Sequence, residues 1–344
     1  MRPAENVGST DSPRWGLGRF ALRIRVSGVL VFLIFVGALF SALTKQFLTA
    51  QNLGVIASNA AILAIVASAQ ALVLLTRNVD VSVGSIMGLT AYIASDYAAH
   101  NQSGGIQLLL ISLALGTLLG AINGSLVAYG KVSSLIATLA TMSLYRGATY
   151  IYAHGQEITS SKLPRWMLVS VDYRLAGIPI LVIVSIVVVA LVAHFLRSYP
   201  LGRRIYAVGS STAASEFYGL RPNRIILLAY SILGLLCGFA GLLYAARIGT
   251  VTVVLASGWE MSSLAAAVIG GVSVAGGSGS VIGAALGAVV LATIDNGLVL
   301  LRIPEFWRMF IQGSAIVAAA LADVSIASGI GKSLLRQRLG KSES

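Results

Sequence analysis

Charge is scarce in this 344-residue chain. Only 10% of its residues are Asp, Glu, Lys or Arg, against roughly a quarter in an ordinary soluble domain. That shortage excludes a soluble enzyme, a disordered protein and a nucleic-acid module as the main body. A single cysteine, Cys237, excludes an internal disulfide and any zinc or iron–sulfur site built on clustered thiolates. The three histidines, His100, His154 and His194, stand at no metal-ligand spacing. No Gly-x4-Gly-Lys-Ser/Thr phosphate loop occurs, so the chain is not expected to hydrolyse ATP or to hold a cofactor of its own. Nor do its apolar runs carry the paired acids or His–carboxylate chains of a proton relay. What the chain has in quantity is apolar residues, 57% of the total at a mean hydropathy of +0.87. In hydrocarbon every backbone polar group needs an internal partner, so only helices or a closed barrel can cross. The apolar runs are continuous and not alternating, which selects helices. The expected fold is all-α, a polytopic helical membrane protein.

About 20 apolar residues cross a ~30 Å hydrocarbon core. About ten spans are expected, at Val26–Thr44, Leu53–Thr76, Val81–Tyr97, Ile106–Tyr129, Ser134–Tyr152, Ile178–Leu196, Ile225–Ala246, Glu260–Ala275, Val281–Leu300 and Phe306–Ala322. They divide the chain into an N-terminal tail (1–25), a transmembrane domain (26–322) containing a polar loop at 197–224, and a C-terminal tail (323–344). The first apolar run exceeds the usual 7–15 residues of a signal-peptide core, so it is read as a retained span. The net charge of +12 would suit nucleic acid, but the basic residues sit in blocks flanking the spans. With an even number of spans and the N-terminus inside, 16 of the 24 Lys and Arg fall on the inner side and 7 outside. The positive-inside rule therefore puts both termini in the cytoplasm.

The third and eighth spans are the short ones. They occupy corresponding places if spans 2–5 and 7–10 are inverted halves, and a short corresponding pair points to the translocation path of a transporter. Two misassigned ordinary helices would look the same. Glycine clusters around spans 8 and 9, and Gly283-x3-Gly287 is a pair that lets helix backbones approach closely. The Gly/Ser run Ala275–Ser280 suits a tight hairpin between these spans.

The 197–224 loop is unusually structured for a linker. Thr212 or Ser211 can cap a short helix over Ala213–Tyr218, Gly219 can end it in the left-handed conformation, and Pro222 blocks its continuation. Phe217 and Tyr218 are left exposed, as on a docking element for a cytoplasmic partner.

A charge at a helix centre costs about 2.5–3.5 kcal/mol on insertion scales, so the few in the spans have specific surroundings. Asp80 either anchors the break between spans 2 and 3, with Ser82 beside it, or pairs with Arg77 and fixes the turn. Arg146, inside the fifth span, either lines a pathway or snorkels. Glu260 opens the eighth span, where a negative charge suits a helix N-terminus. Asp295 and Asn296 in the ninth span line a path or bond neighbouring helices.

Several motifs resemble the permease subunit of bacterial ATP-binding-cassette importers of the ribose type, over nearly the whole chain beyond about Asn52. That family's loop Gly-x-Asn-x3-Ala-Ala-x3-Gly-Ile is similar to Gly209, Ala213, Ala214, Gly219 and Leu220 here, with Glu216 inside the stretch; its Asn is absent, and Ser210-Ser211 stand nearby. The signature Thr-Gly-Gly-Ile-Asp-Leu-Ser-Val-Gly is similar to Thr76–Gly84, with Arg77-Asn78 in place of Gly-Gly. Thr138–Gly147 and the Gly-rich Val268–Gly287 are similar to two further family stretches. The Arg-Asn variant, with Leu301-Arg302-Ile303-Pro304 before Phe306-Trp307, is most similar to the autoinducer-2 and rhamnose branches. The resemblance implies a multi-pass subunit of a bacterial inner membrane that uses no cofactor itself. Its implied partners are cytoplasmic ATPases on the 197–224 loop, a periplasmic binding protein that delivers a sugar or sugar-like ligand, and a second permease chain, different or identical. Alternatives are a related permease for branched-chain amino acids or nucleosides, an ion-coupled secondary carrier, and a non-transporting scaffold.

Overall fold

The computed structural model describes residues 14–102, 104–311, 313, 314 and 317, with side chains from residue 27 onward. The first 13 residues, the end of the expected tenth span and the 323–344 tail lie outside the described residues.

The helices are α1 (Arg14–Leu43), α2 (Ala50–Leu75), α3 (Val83–Asn101), α4 (Gly105–Ala128), α5 (Ser134–Ala153), α6 (Arg165–Asp172), α7 (Ile180–Ser198), α8 (Pro200–Ser210), α9 (Thr212–Phe217), α10 (Pro222–Ile248), α11 (Trp259–Ile269) and α12 (Val281–Leu300). The chain is helical again over 305–311. A two-stranded hairpin, β1 (Arg174–Leu175) and β2 (Ile178–Pro179), lies between α6 and α7. Each expected span from the first to the ninth meets a helix. Among the described residues, five helices (α2, α4, α7, α10 and α12) are long and apolar enough to cross a membrane.

Four features depart from the sequence expectation. Helix α1 begins at Arg14, inside the stretch read as a tail. The third span is not short: α3 has 19 residues, about 28 Å at 1.5 Å per residue. The eighth is shorter still. Gly271 adopts φ +84 and ends α11 after 11 residues, about 16 Å of helix. The turn before α12 accordingly occupies the whole of 270–280, more than the Ala275–Ser280 run. Helix α8 fills part of what reads as a loop, because Arg203 and Arg204 interrupt its apolar face.

Helix α2 is the axis of the bundle and is buried along its second half. It packs on α12, α10, α11 and α7. The pattern of neighbours is what two related halves produce. If α2, α3 and α4 correspond to α10, α11 and α12, then α2 against α12 mirrors α10 against α4, and α3 against α10 mirrors α11 against α2. Glycine permits the closest of these seams. A Cβ at Gly116 or Gly120 of α4 would collide with the Gly234 or Tyr230 carbonyl of α10. The Gly283-x3-Gly287 pair does the same work in α12, against Gly270 and the Ala266 carbonyl of α11.

Candidate functional site

Between α2 and α3 the chain leaves helix at Thr76 and resumes it at Val83, deep among other helices. Extended backbone at that depth must find its hydrogen bonds in side chains. The Val79 amide donates to Ser134 Oγ (3.3 Å) and the Val81 amide to Thr138 Oγ1 (3.2 Å), both on α5. Tyr230 of α10 donates its hydroxyl to the Val79 carbonyl (3.1 Å). Asp80 is fully buried, yet each of its carboxylate oxygens is satisfied. Oδ1 accepts from the Ser82 amide (2.7 Å) and hydroxyl (2.6 Å), and Oδ2 accepts from Asn123 Nδ2 of α4 (3.0 Å). Tyr145 of α5 donates to Asn123 Oδ1 (3.0 Å) and completes the cluster. Asp80 thus anchors the break between the two helices. It does not pair with Arg77.

Arg77 turns to the other face. It holds φ +65, at the position where the family signature has glycine. Its Nε donates to the Ala275 carbonyl (2.8 Å) and its NH2 to the Ser210 carbonyl (3.1 Å). It therefore staples the end of α2 to the α11–α12 turn and to the end of α8. The Gly277 amide donates to the Leu75 carbonyl (3.0 Å), and a Cβ at Gly209 would collide with that same carbonyl. Tyr206 of α8 donates to the Gly279 carbonyl (3.1 Å), and burial pushes its phenol above the ordinary value.

From this anchored base α9 projects outward. Ser211 Oγ accepts from the Ala214 amide (3.2 Å) and caps the helix, and Gly219 closes it at φ +76. The Leu220 amide donates to the Ser215 carbonyl (3.0 Å), and Pro222 opens α10. Ala213, Ala214 and Glu216 are exposed, and Phe217 and Tyr218 are 91% and 84% exposed in an edge-on pair. Of the loop residues singled out in the sequence, Gly209 belongs to the buried base and the others to the projecting turn.

Two further groups lie apart from the Asp80 cluster. Arg146 NH1 donates to the Val253 (3.0 Å) and Leu255 (2.9 Å) carbonyls, tying α5 to the segment before α11. Glu260 Oε1 accepts from the Gly258 amide (3.1 Å) at the start of α11, as its charge at a helix N-terminus suggests. The first turns of α3 make contact here, Gly84 with Glu260 and Gly88 with Arg146. The polar edge of this contact stays open, with Ser143, Tyr150 and Met261 exposed beside the partly exposed Arg146 and Glu260. Asn296 exchanges two hydrogen bonds with Asn52 of α2 (2.9 and 3.0 Å), and Asp295 pairs with Arg308 (2.8 Å). Both are inter-segment ties, remote in the chain from the other two groups. Asn123, Tyr230 and Ser134 escaped the sequence reading, and Thr138 and Tyr145 entered it only as members of the Thr138–Gly147 stretch, with no role assigned. Asn123 carried a visible signal, as a side-chain amide within an otherwise apolar run.

No group of three or more His, Cys, Asp or Glu that could hold a metal ion occurs among the described residues. Comparison with known proteins places the chain among transport proteins. It is 37% identical over 299 residues to the autoinducer 2 import system permease protein LsrC of Shigella flexneri, covering 87% of this chain and 86% of the relative. The protein of the same name from Enterobacter sp. (strain 638) is 40% identical over 298 residues, with 87% and 86% covered. That of Photorhabdus laumondii is 35% identical over 319 residues, with 91% and 93% covered. No solved structure matches. Residues 52–320, from the foot of α2 past the end of α12, match the family described as branched-chain amino acid transport system / permease component, and the chain belongs to that family.

Proposed function

We propose that this chain is a pore-forming subunit of an ATP-driven importer, and that its ligand is a small sugar-like molecule of the autoinducer-2 type. The relatives' names support the ligand, and the family supports the permease role. The observation that carries the mechanism is the staple between α9's base and the membrane core. An ATPase seated on Phe217 and Tyr218 would move α8 and α9. Through Gly209, Ser210 and Arg77 that motion would reach the end of α2 and the α11–α12 turn. The positive-inside distribution of Lys and Arg supports a cytoplasmic side for this loop and both termini. A periplasmic binding protein would then deliver ligand to the opposite face. A second permease chain, different from this one or a copy, would cover the open polar edge at Arg146, Glu260, Ser143 and Tyr150 and complete a pathway.

Uptake of labelled autoinducer-2, ribose and rhamnose in cells with and without the gene tests this, with ATP and membrane potential controlled separately. ATP-dependent loss of autoinducer-2 uptake on deletion is expected. Loss that leucine competes for, and no sugar does, would favour the amino-acid reading that the family description also carries. Gly219→Pro places a residue locked near φ −65 where the backbone holds +76. It and Glu216→Arg are expected to leave the protein in the membrane while ATPase co-purification and uptake fall at least tenfold. Unchanged co-purification and uptake would refute the docking role.

A further inference from the structure

We propose that this protein carries a binding site for one anionic glycerophospholipid, in a two-part groove between α1, α2, α7 and α12. The apolar part is a cleft of about 430 Å³ lined by Ala57, Ala61, Val182, Val189 and Ala285. The polar part is a cavity of about 890 Å³ with Ser27, His194, Arg197, Tyr206 and Ser280 on its walls. Ala190 and Ile282 line both, so the two are one continuous groove.

Helix α7 shows how the groove is graded. Val182, Ile186, Ala190, His194 and Arg197 recur at four- and three-residue steps, with Val189 beside Ala190, and form a stripe along one face. The stripe is apolar as far as Ala190 and then cationic or polar. Its 15 steps span about 22 Å, more than half of a ~30 Å hydrocarbon core, which is the depth of one leaflet with its headgroup. Ile186 and Ile282 are exposed, so the groove opens sideways to the bilayer.

The headgroup end has the chemistry of an anion site. Arg197, exposed in the last turn of α7, forms no hydrogen bond or ion pair among the described residues. Across the cavity α12 begins at Val281, with Ser280 Oγ capping the Gly283 amide, so the helix's positive dipole end borders the same space. Among the described residues, no acidic side chain lines either part. Basic pockets between helices at this depth take anionic lipid headgroups. A peptide partner would not need a cleft graded from apolar to cationic along a leaflet's depth.

The test is native mass spectrometry of the purified full chain in detergent, titrated with dioleoyl phosphatidylglycerol or dioleoyl phosphatidylcholine. Phosphatidylglycerol is expected to bind about fivefold more tightly or better, the contribution of one basic side chain at a membrane surface. Arg197→Glu is expected to remove that preference and Arg197→Lys to keep it. Lys162→Glu, far along the chain in the segment before α6, is expected to leave it unchanged. Ala190→Trp blocks the junction of the two parts and is expected to lower binding of both lipids. Should that variant not fold, Arg197→Glu decides alone. Equal binding of the two lipids by the wild type overturns the proposal, as does a preference that survives Arg197→Glu. Displacement by soluble glycerol phosphate would reduce the site to a phosphate pocket. Disulfide-linked dimers of Ile186→Cys in membranes would assign the groove to a second copy. Either result overturns the lipid.

Discussion

Two non-helical segments lead into the interior of this bundle, and they are held in opposite ways. Residues 76–82, before α3, are gripped by side chains: Asp80 within the segment, and Ser134, Thr138, Asn123 and Tyr230 from three helices around it. Residues 249–258, before α11, offer their own carbonyls, and a single long side chain, Arg146, holds two of them. A backbone bridge between Val251 and Ile158 secures the outer end. The first segment is largely buried, whereas Val254, Ser257 and Gly258 of the second are exposed. The first therefore has many independent restraints and little surface, which is the character of a fixed pivot. The second has few restraints and a free edge, which is where local opening costs least.

The largest expected effect comes from breaking the pivot. Asp80→Leu leaves the Ser82 amide and hydroxyl without an acceptor in a fully buried site, while Asn123 Nδ2 keeps its bond to Ser82 Oγ (2.7 Å). One stranded buried group costs about 1–3 kcal/mol, and two together place this change in the more damaging class. Membrane yield and the temperature at which the detergent-solubilised protein aggregates should both fall sharply. Asn123→Leu should fall by less, since Ser82 still satisfies one oxygen of Asp80. A full yield of stable Asp80→Leu would mean that the helix seams alone hold the segment.

Next in size is the release of the second segment. Arg146→Ala frees the Val253 and Leu255 carbonyls, each bonded to a charged donor and worth about 1.5–3 kcal/mol in such pairs. The protein should stay in the membrane, because the segment reaches solvent and can be hydrated. Uptake should drop about tenfold at equal expression, while Lys162→Ala transports as the wild type does. Hydrogen exchange of the 250–258 amides should rise in Arg146→Ala, and those of 78–82 should not change. Equal exchange in both segments would erase the distinction between them.

Why one segment was more legible than the other follows from the kind of contact each makes. Hydropathy located α2, α4, α7, α10 and α12 because burial in lipid or protein selects residues one at a time. The caps of α9 were legible for a related reason: Ser211, Gly219 and Pro222 act on backbone within a few residues of themselves. Asp80 was conspicuous as a lone carboxylate, but its true partners, Ser82 apart, are 40 or more positions away on other helices. Proximity in sequence favoured Arg77, which faces elsewhere. Arg146 was equally conspicuous, yet it binds carbonyls, which every residue has and no sequence pattern marks. The early end of α11 was hidden because Val272, Val274 and Ala275 extend the apolar run beyond the Gly270-Gly271 break.

The smallest effect concerns strain in the second segment. Ala256 holds φ +60, a conformation that costs an alanine about 1–2 kcal/mol and a glycine almost nothing. Ala256→Gly removes that cost, but it adds about 0.5–1 kcal/mol of unfolded-chain entropy and gives up a buried methyl worth about 0.8 kcal/mol. The terms nearly cancel, so thermal aggregation should stay within a degree or two of the wild type. Arg77→Gly is the matching substitution in the first segment, at φ +65, and there a clear loss is expected. The same backbone relief is outweighed by loss of the bonds to Ala275 and Ser210, so stability and ATPase coupling should both decline. If both glycine variants keep wild-type stability, Arg77 is not a staple, and the route from α9 to the pivot must run through the Gly209–Leu75 contact alone.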